Sequence, residues 1–436
     1  MGWGCWWFKL THVCQRWRNL ILGSPSYLRL SLVCTKGTPV ANMLAHSPPL
    51  PLTVDYRGSN GISAEDEEGL MVALEQRDRV RHLRLSLPVR NLQKFVVAID
   101  GEFPILEYMV VGPPIVDSTA LTLRETLQAP HLKHLMLTGF AYPIGPRLHP
   151  TAVGLVTLNL LIHQQSAYFQ PNILLQWISF MPQLEILAIA FRFPIPNHDV
   201  EREVAYMPIP TPITLPNLRW LWFQGASAYL EAIVCWTTTP RLERLHIEFF
   251  EQLTFSVPRL VQFMKTTKIP RFDRAVLDFS DKDVYAQTFL RETGAFVITI
   301  IVHCGHLNRQ VSSVAQISSA LGEGLSAVEH LNLRDKTHTR SSEEHNDIDR
   351  FEWRKLLRAF NNVKSLHVED GLVKELSRCL RSEDGELPLD PLPELQELTH
   401  FWNRDTVDAF TSFIDARQNI GRPVMLVRLL PRRSPR

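Results

Sequence analysis

Pro130-His131-Leu132-Lys133-His134-Leu135-Met136-Leu137 is a phrase this chain repeats, and its reading decides the fold. Written as Pro-x-Leu-x-x-Leu-x-apolar, it returns at Pro182 (Leu184, Leu187, Ile189), Pro216 (Leu218, Leu221, Phe223) and Pro240 (Leu242, Leu245, Ile247). Looser copies start at Pro104, Pro270 and Pro393. Copies without the proline carry Val80, Leu83 and Leu85; Leu155, Leu158 and Leu160; Val328, Leu331 and Leu333; and Val363, Leu366 and Val368. From Val80 to Leu242 the first apolar positions are 26, 26, 23, 29, 34 and 24 residues apart, a period that marks stacked repeats. The end of each phrase has a period of two, so Leu135 and Leu137 face one side of a short strand and Met136 the other. The proline cannot continue a helix, biases its predecessor to an extended conformation, and costs little at the first position of a strand. Between phrases, Ile173, Leu174, Trp177, Ile178 and Met181, and then Val257, Leu260, Val261 and Met264, follow helical spacing. One strand and one helix cannot bury their apolar faces alone, whereas stacked neighbours can. The expected fold class is α/β: an irregular solenoid with parallel strands on one face and helices on the other.

The pattern resembles the leucine-rich repeat, L-x-x-L-x-L-x-x-N, with a departure. The asparagine position holds Phe140 after Leu137 and Lys336 after Leu333. Without an asparagine ladder the stack is expected to be uneven. At 436 residues the chain can bury a large core. Its 46 basic and 45 acidic residues leave a net charge of +1, which gives no electrostatic case for nucleic acid or an anionic membrane. Cys5, Cys14, Cys34, Cys235, Cys304 and Cys379 are scattered without a C-x-x-C pair, as expected of reduced thiols in the cytosol or nucleus. The apolar start has no basic n-region or cleavage site, and no run of about 18 apolar residues marks a membrane span.

Trp7, Leu10, Val13, Cys14, Trp17, Leu20 and Ile21 fall on one helical stripe, with Gly23 and Pro25 suited to end it. Within it, Leu10, Val13, Cys14, Trp17, Arg18 and Leu20 match the second half of an F-box, L-x-x-V-C-[KR]-x-W-[RK]-x-[LI]. The segments from Leu28 to Val40, Pro51 to Tyr56, Phe351 to Phe360 and Phe413 to Gln418 look similar to the F-box family expanded in mushroom-forming fungi, which continues into irregular leucine-rich repeats. The resemblance implies that those six residues form the part of the box that binds a Skp-type adaptor of an SCF ubiquitin ligase, with Trp17 packed inside the helical unit and direct contact with the adaptor as the alternative for it. It also implies that the repeats hold a target protein. An F-box opens with a leucine–proline helix, and only Met1–Trp6 precede the stripe that carries the match. This implies either residues further upstream or a half-box, and the half-box leaves a ligase-independent interaction scaffold as the alternative. The expected organisation is a partial F-box over 1–26, the solenoid over 27–428 and a basic tail over 429–436.

The residues alternating with the leucines are expected to line the sheet face. Among them are His82, Arg84, His134, Asn159, His330, Asn332 and His367. Trp220, Trp222, Arg244, His246 and Arg334 are the candidates for target binding, because tryptophan and arginine dominate interface energetics. The alternative for the two tryptophans is packing under the proline-rich loop 205–214. Acidic runs at 341–349 and 382–390 read as solvated insertions, and Ser63 to Asp66 as a capped helix start. No phosphate loop, dinucleotide fingerprint, H-E-x-x-H or nucleophile elbow is present. His303-Cys304-Gly305-His306 is the one tight ligand-type cluster, and it lacks a partner pair at zinc spacing. No cofactor, metal or catalytic residue is expected.

Overall fold

The structure is a computed structural model, and it describes residues 13–23, 30–99, 101–114, 121–122, 127–141, 153–195, 200, 211–250, 255–267, 272–290, 293, 296–336, 350–381, 391–401 and 408–429. The chain forms two compact units. One comprises Met1–Pro194 with Glu203–Leu218, the other Ile195–Arg202 with Arg219–Arg436.

In the first unit the strands β1 (Leu32–Thr35), β2 (Leu52–Arg57), β3 (Val80–Ser86), β4 (Tyr108–Gly112), β5 (His134–Thr138), β6 (Thr157–Ile162) and β7 (Ile186–Phe191) lie side by side in chain order, each parallel to the one before. The register sets the phrases level. Val54, Leu83, Met109, Leu135, Leu158 and Leu187 form one buried row, and Tyr56, Leu85, Val111, Leu137, Leu160 and Ile189 the next. Burying a leucine or valine of this kind contributes about 1.5–3 kcal/mol, so the rows are the main cohesive element. Helices α1 (Gln15–Gly23), α2 (Val40–His46), α3 (Ala64–Glu75), α4 (Val89–Ala98) and α5 (Pro171–Ser179) belong to the same unit. The helix start expected at Ser63 is present: its hydroxyl accepts the Asp66 N–H at 3.1 Å. The buried Asp66 carboxylate in turn accepts the Gly37 N–H at 2.6 Å, tying α3 to the turn after β1.

The second unit contains β8 (Trp220–Gly225), β9 (Arg244–Phe250), β10 (Arg274–Phe279), β11 (Asp283–Phe289), β12 (Phe296–His303), β13 (His330–Asp335), β14 (Ser365–Val368), β15 (Glu397–Phe401) and β16 (Met425–Leu429). Its helices are α6 (Ser227–Trp236), α7 (Pro258–Thr266), α8 (Leu307–Leu325), α9 (Arg350–Arg358), α10 (Asp370–Leu380) and α11 (Thr411–Asn419). The spatial order is β8-β9-β12-β11-β10-β13-β14-β15-β16. All neighbours are parallel except β11, which runs antiparallel to both β10 and β12. The reversal is set by Ser280, whose hydroxyl accepts the Asp283 N–H at 3.0 Å and donates to the Asp283 carbonyl at 2.9 Å. Gln310, at the start of α8, is fully buried and donates to the Ser280 and Cys304 carbonyls at 2.8 Å each, which pins the helix to this hairpin. Where the hairpin interrupts the parallel order, Ala275 and Ala286 meet α8 with too little volume. An apolar cavity of about 30 Å³ remains there, lined also by Leu277, Ile300, Ile317 and Leu321.

The repeated proline has a more specific role than a strand boundary. In each of the following copies the proline is the second residue of a four-residue turn closed by the first leucine of the phrase. Leu132 N–H donates to Ala129 O at 3.0 Å, Leu184 to Met181 at 3.1 Å, Leu218 to Leu215 at 3.3 Å, Leu242 to Thr239 at 3.3 Å and Leu395 to Leu392 at 3.2 Å. Proline's fixed φ suits that position, and its missing N–H is not needed there. Val328 and Val363 close the same turn without proline. Neighbouring turns are also stitched together. Asn217 Nδ2 donates to the Pro182 carbonyl at 3.2 Å, and Asn362 Nδ2 to the Ser326 carbonyl at 2.7 Å. The side-chain bonding that an asparagine ladder supplies in the L-x-x-L-x-L-x-x-N pattern is thus placed, in these repeats, in the turn before the strand.

Candidate interaction surface

Alternation along the strands sends a second set of side chains to the face opposite the leucines. In the first unit, Thr53, His82, Tyr108, His134 and Thr157 stand in one row. The His82 and Tyr108 rings meet edge-on at 6.0 Å, Tyr108 and His134 lie 5.9 Å apart, and His134 Nδ1 is 3.1 Å from the Thr157 hydroxyl. Burial, then the neighbouring Arg81 charge, lowers the His82 pKa. The histidines of this face are therefore half-buried members of side-chain rows rather than solvated surface groups.

In the second unit the tryptophans of β8 register against β9, Trp220 beside Arg244 and Trp222 beside His246. Trp220 is 37% exposed. Trp222 is half-buried, and its indole meets the His246 ring edge-on at 6.0 Å. Trp222 and His246 meet at Glu248, whose Oε1 accepts from Trp222 Nε1 at 3.2 Å and lies 2.9 Å from His246 Nε2. On the next strands, His303 Nδ1 sits 2.5 Å from Asp283 Oδ1, and its Nε2 is 3.5 Å from Glu248 Oε2, an ion-pair separation rather than a well-formed hydrogen bond. Burial pulls the Glu248 pKa upward, but the hydrogen bonds from His246 and Trp222 and the nearby His303 imidazole outweigh it and hold the carboxyl far below its ordinary range. His303 is displaced in the opposite sense. Its contact with Glu248 raises its pKa, burial opposes this, and the bond to Asp283 raises it further.

The structure thus brings four of the five sequence candidates, Trp220, Trp222, Arg244 and His246, onto one strand pair. Arg334 lies elsewhere. It is on β13, five strands from β8 and so roughly 24 Å away at strand spacing, and its Nε is 3.9 Å from the buried Asp278. Lys336, at the position where the repeat pattern has asparagine, pairs with the same carboxylate at 2.6 Å. Asp283 and His303 were not expected on this face, and Glu248, which alternates with the leucines of β9 as the face-lining residues do, was not among the target-binding candidates. Asp283 opens the antiparallel strand, whose one signal in the sequence is the period-two alternation of Val284, Ala286 and Thr288.

Of the residues matched to the F-box, Leu10 lies outside the described residues. Val13, Cys14, Trp17, Arg18 and Leu20 are at the start of and along α1, and all are exposed, Trp17 by 48%. Trp17 is therefore not packed inside a helical unit as expected. The loop 205–210, the acidic runs at 341–349 and 382–390 and the tail 430–436 also lie outside the described residues.

No protein-family model matches the chain, and no curated protein does. Among solved structures it is similar to a leucine-rich repeat-containing protein from Legionella pneumophila, at 12% identity, covering 91% of this chain and 99% of that one, with a TM-score of 0.28. Among the described residues, no group of three or more His, Cys, Asp or Glu is arranged to hold a metal ion, and no helix is long and apolar enough to cross a membrane. His303 ends β12 and Cys304 follows it, with the Cys304 side chain buried.

Proposed function

We propose that this chain is a protein-interaction repeat scaffold that works by proximity, holding a target protein on its sheet face and delivering it to an SCF ubiquitin ligase. The carrying observation is the division of the sheet: repeat leucines fill one face, while the other presents Trp220, Trp222, Arg244 and His246 on adjacent strands. Aromatic and arginine anchors of that kind are where binding energy concentrates. In this reading Trp17 and Leu20, exposed on α1, and Val13 just before it are the surface toward a Skp-type adaptor, in keeping with the F-box resemblance of the segment. The chain itself would perform no bond chemistry. Co-purification with a Skp-type adaptor tests the ligase part: wild type is expected to form a stoichiometric complex that Trp17→Ala weakens at least tenfold. Equal recruitment by both would remove the basis for an F-box role. If neither binds while partners still bind the sheet face, the chain is a ligase-independent scaffold.

A further inference from the structure

His303 stands between two carboxylates, and this decides its protonation. A neutral imidazole carries one N–H, so with Nδ1 bonded to Asp283 its Nε2 lone pair would face Glu248 at 3.5 Å, with no other hydrogen-bond partner for that buried nitrogen. The imidazolium presents an N–H to each acid, bonded to Asp283 and at ion-pair distance from Glu248. Glu248 is also the acceptor that holds the Trp222 indole and His246. The proton on His303 is therefore one bond removed from the anchor residue of the target surface. We propose, resting on the target-binding reading of that face, that one proton on His303 sets the state of Trp222: protonated, it links Glu248 to Asp283 and clamps the indole on Glu248; deprotonated, it releases Glu248 and with it Trp222, making the surface available to a target as pH rises.

Every neighbouring element contributes to this balance. β9 supplies His246 and Glu248, β12 supplies His303, and β11 supplies Asp283 and Tyr285. From β10 comes Asp278, already neutralised by Lys336 at 2.6 Å with Arg334 at 3.9 Å. With His303 charged, Glu248 and Asp283 share a cation placed between them. Without it two half-buried carboxylates face a lone pair, and repulsion between unscreened like charges moves the freer of them. Burial raises the pKa of the Tyr285 hydroxyl and so keeps it protonated through neutrality; it adds no charge to the balance.

The test reads Trp222 in the whole chain, without adaptor or target, so its outcome is separate from that of the functional proposal. The chain has 10 tryptophans, and the indole ¹H–¹⁵N resonance of Trp222 is identified by its loss in Trp222→Phe. Between pH 5.5 and 9 it is expected to move with a single midpoint above the ordinary histidine value of about 6.5. In Asp283→Asn the midpoint should fall toward or below that value. In His303→Gln, with an unchanged far-UV dichroism spectrum, the movement should vanish. A stationary resonance in wild type overturns the proposal, as does a midpoint unmoved in Asp283→Asn, which remains decisive if His303→Gln does not fold.

Discussion

Glu231 on α6 caps a helix it does not belong to. Helix α7 begins at Pro258 without a side-chain cap of its own. Its second and third N–H groups, from Arg259 and Leu260, donate instead to the two Glu231 oxygens, each at 2.8 Å. Removing the carboxylate by Glu231→Ala orphans both donors and removes a negative charge from a helix N-terminus. A hydrogen bond to a charged group contributes about 1.5–3 kcal/mol, and the dipole interaction about 0.3–1 kcal/mol. The Arg259 amide is exposed and regains water, so only the Leu260 bond counts in full. Burial raises the Glu231 pKa more than the amide bonds lower it, so part of the gain is already offset by desolvation. The net loss expected is about 2 kcal/mol for Ala, and under about 1 kcal/mol for Gln, which keeps one acceptor oxygen. Hydrogen exchange over Pro258–Thr266 is the direct assay, and 2 kcal/mol corresponds to about thirtyfold faster exchange wherever local opening governs it. Exchange in the Ala variant within about twofold of wild type would refute the view that consecutive helices are coupled through this side chain.

Other outcomes follow from the same packing. Gly112, ending β4, has no room for a side chain: a Cβ there meets Thr138 Cβ and lies 2.8 Å from the Thr138 carbonyl, so Gly112→Ala should cost about 2 kcal/mol or more by chemical denaturation. Ala286→Val should fill part of the roughly 30 Å³ cavity at the hairpin and raise stability by about 1 kcal/mol, seen as a higher midpoint in urea. Because the pKa of His303 is raised in the folded state, its stabilising contribution is complete below the unfolded value of about 6.5 and is lost as pH rises through the higher folded value. Urea midpoints measured across that window should fall in wild type and flatten in His303→Gln.

Much of the fold was legible because burial leaves a strong imprint. Each copy of the phrase, from Val80, Leu83 and Leu85 to Val363, Leu366 and Val368, became a buried strand segment, and the helices expected from the spacing at Ile173 and Val257 formed within a residue or two of their bounds. The loose copies at Pro104, Pro270 and Pro393 also lead into β4, β10 and β15. The proline turn was misplaced because a strand start and the second position of a turn tolerate the same missing N–H. The antiparallel β11 was missed because it lacks the phrase and carries only period-two alternation between Asp283 and Phe289. A further signal lay unread at the position after the first apolar residue, where charges alternate between repeats. Arg81 Nη2 pairs with Glu107 at 3.0 Å, and Lys364 with Glu329 at 2.8 Å. Of the candidate site, types and alternation gave Trp220, Trp222, Arg244 and His246. Glu248, Asp283 and His303 come together only through the strand order β9-β12-β11, which no local pattern encodes.

The proposed function assigns one partner to the α1 segment and another to the residues of β8 and β9. Affinity purification of wild type beside Trp17→Ala and the double variant Trp220→Ala, Trp222→Ala, with quantitative mass spectrometry of what is retained, tests it most directly. The account predicts that the double variant keeps the Skp-type adaptor and loses a target, while Trp17→Ala keeps the target and loses the adaptor. Identical partner sets from all three proteins would contradict it.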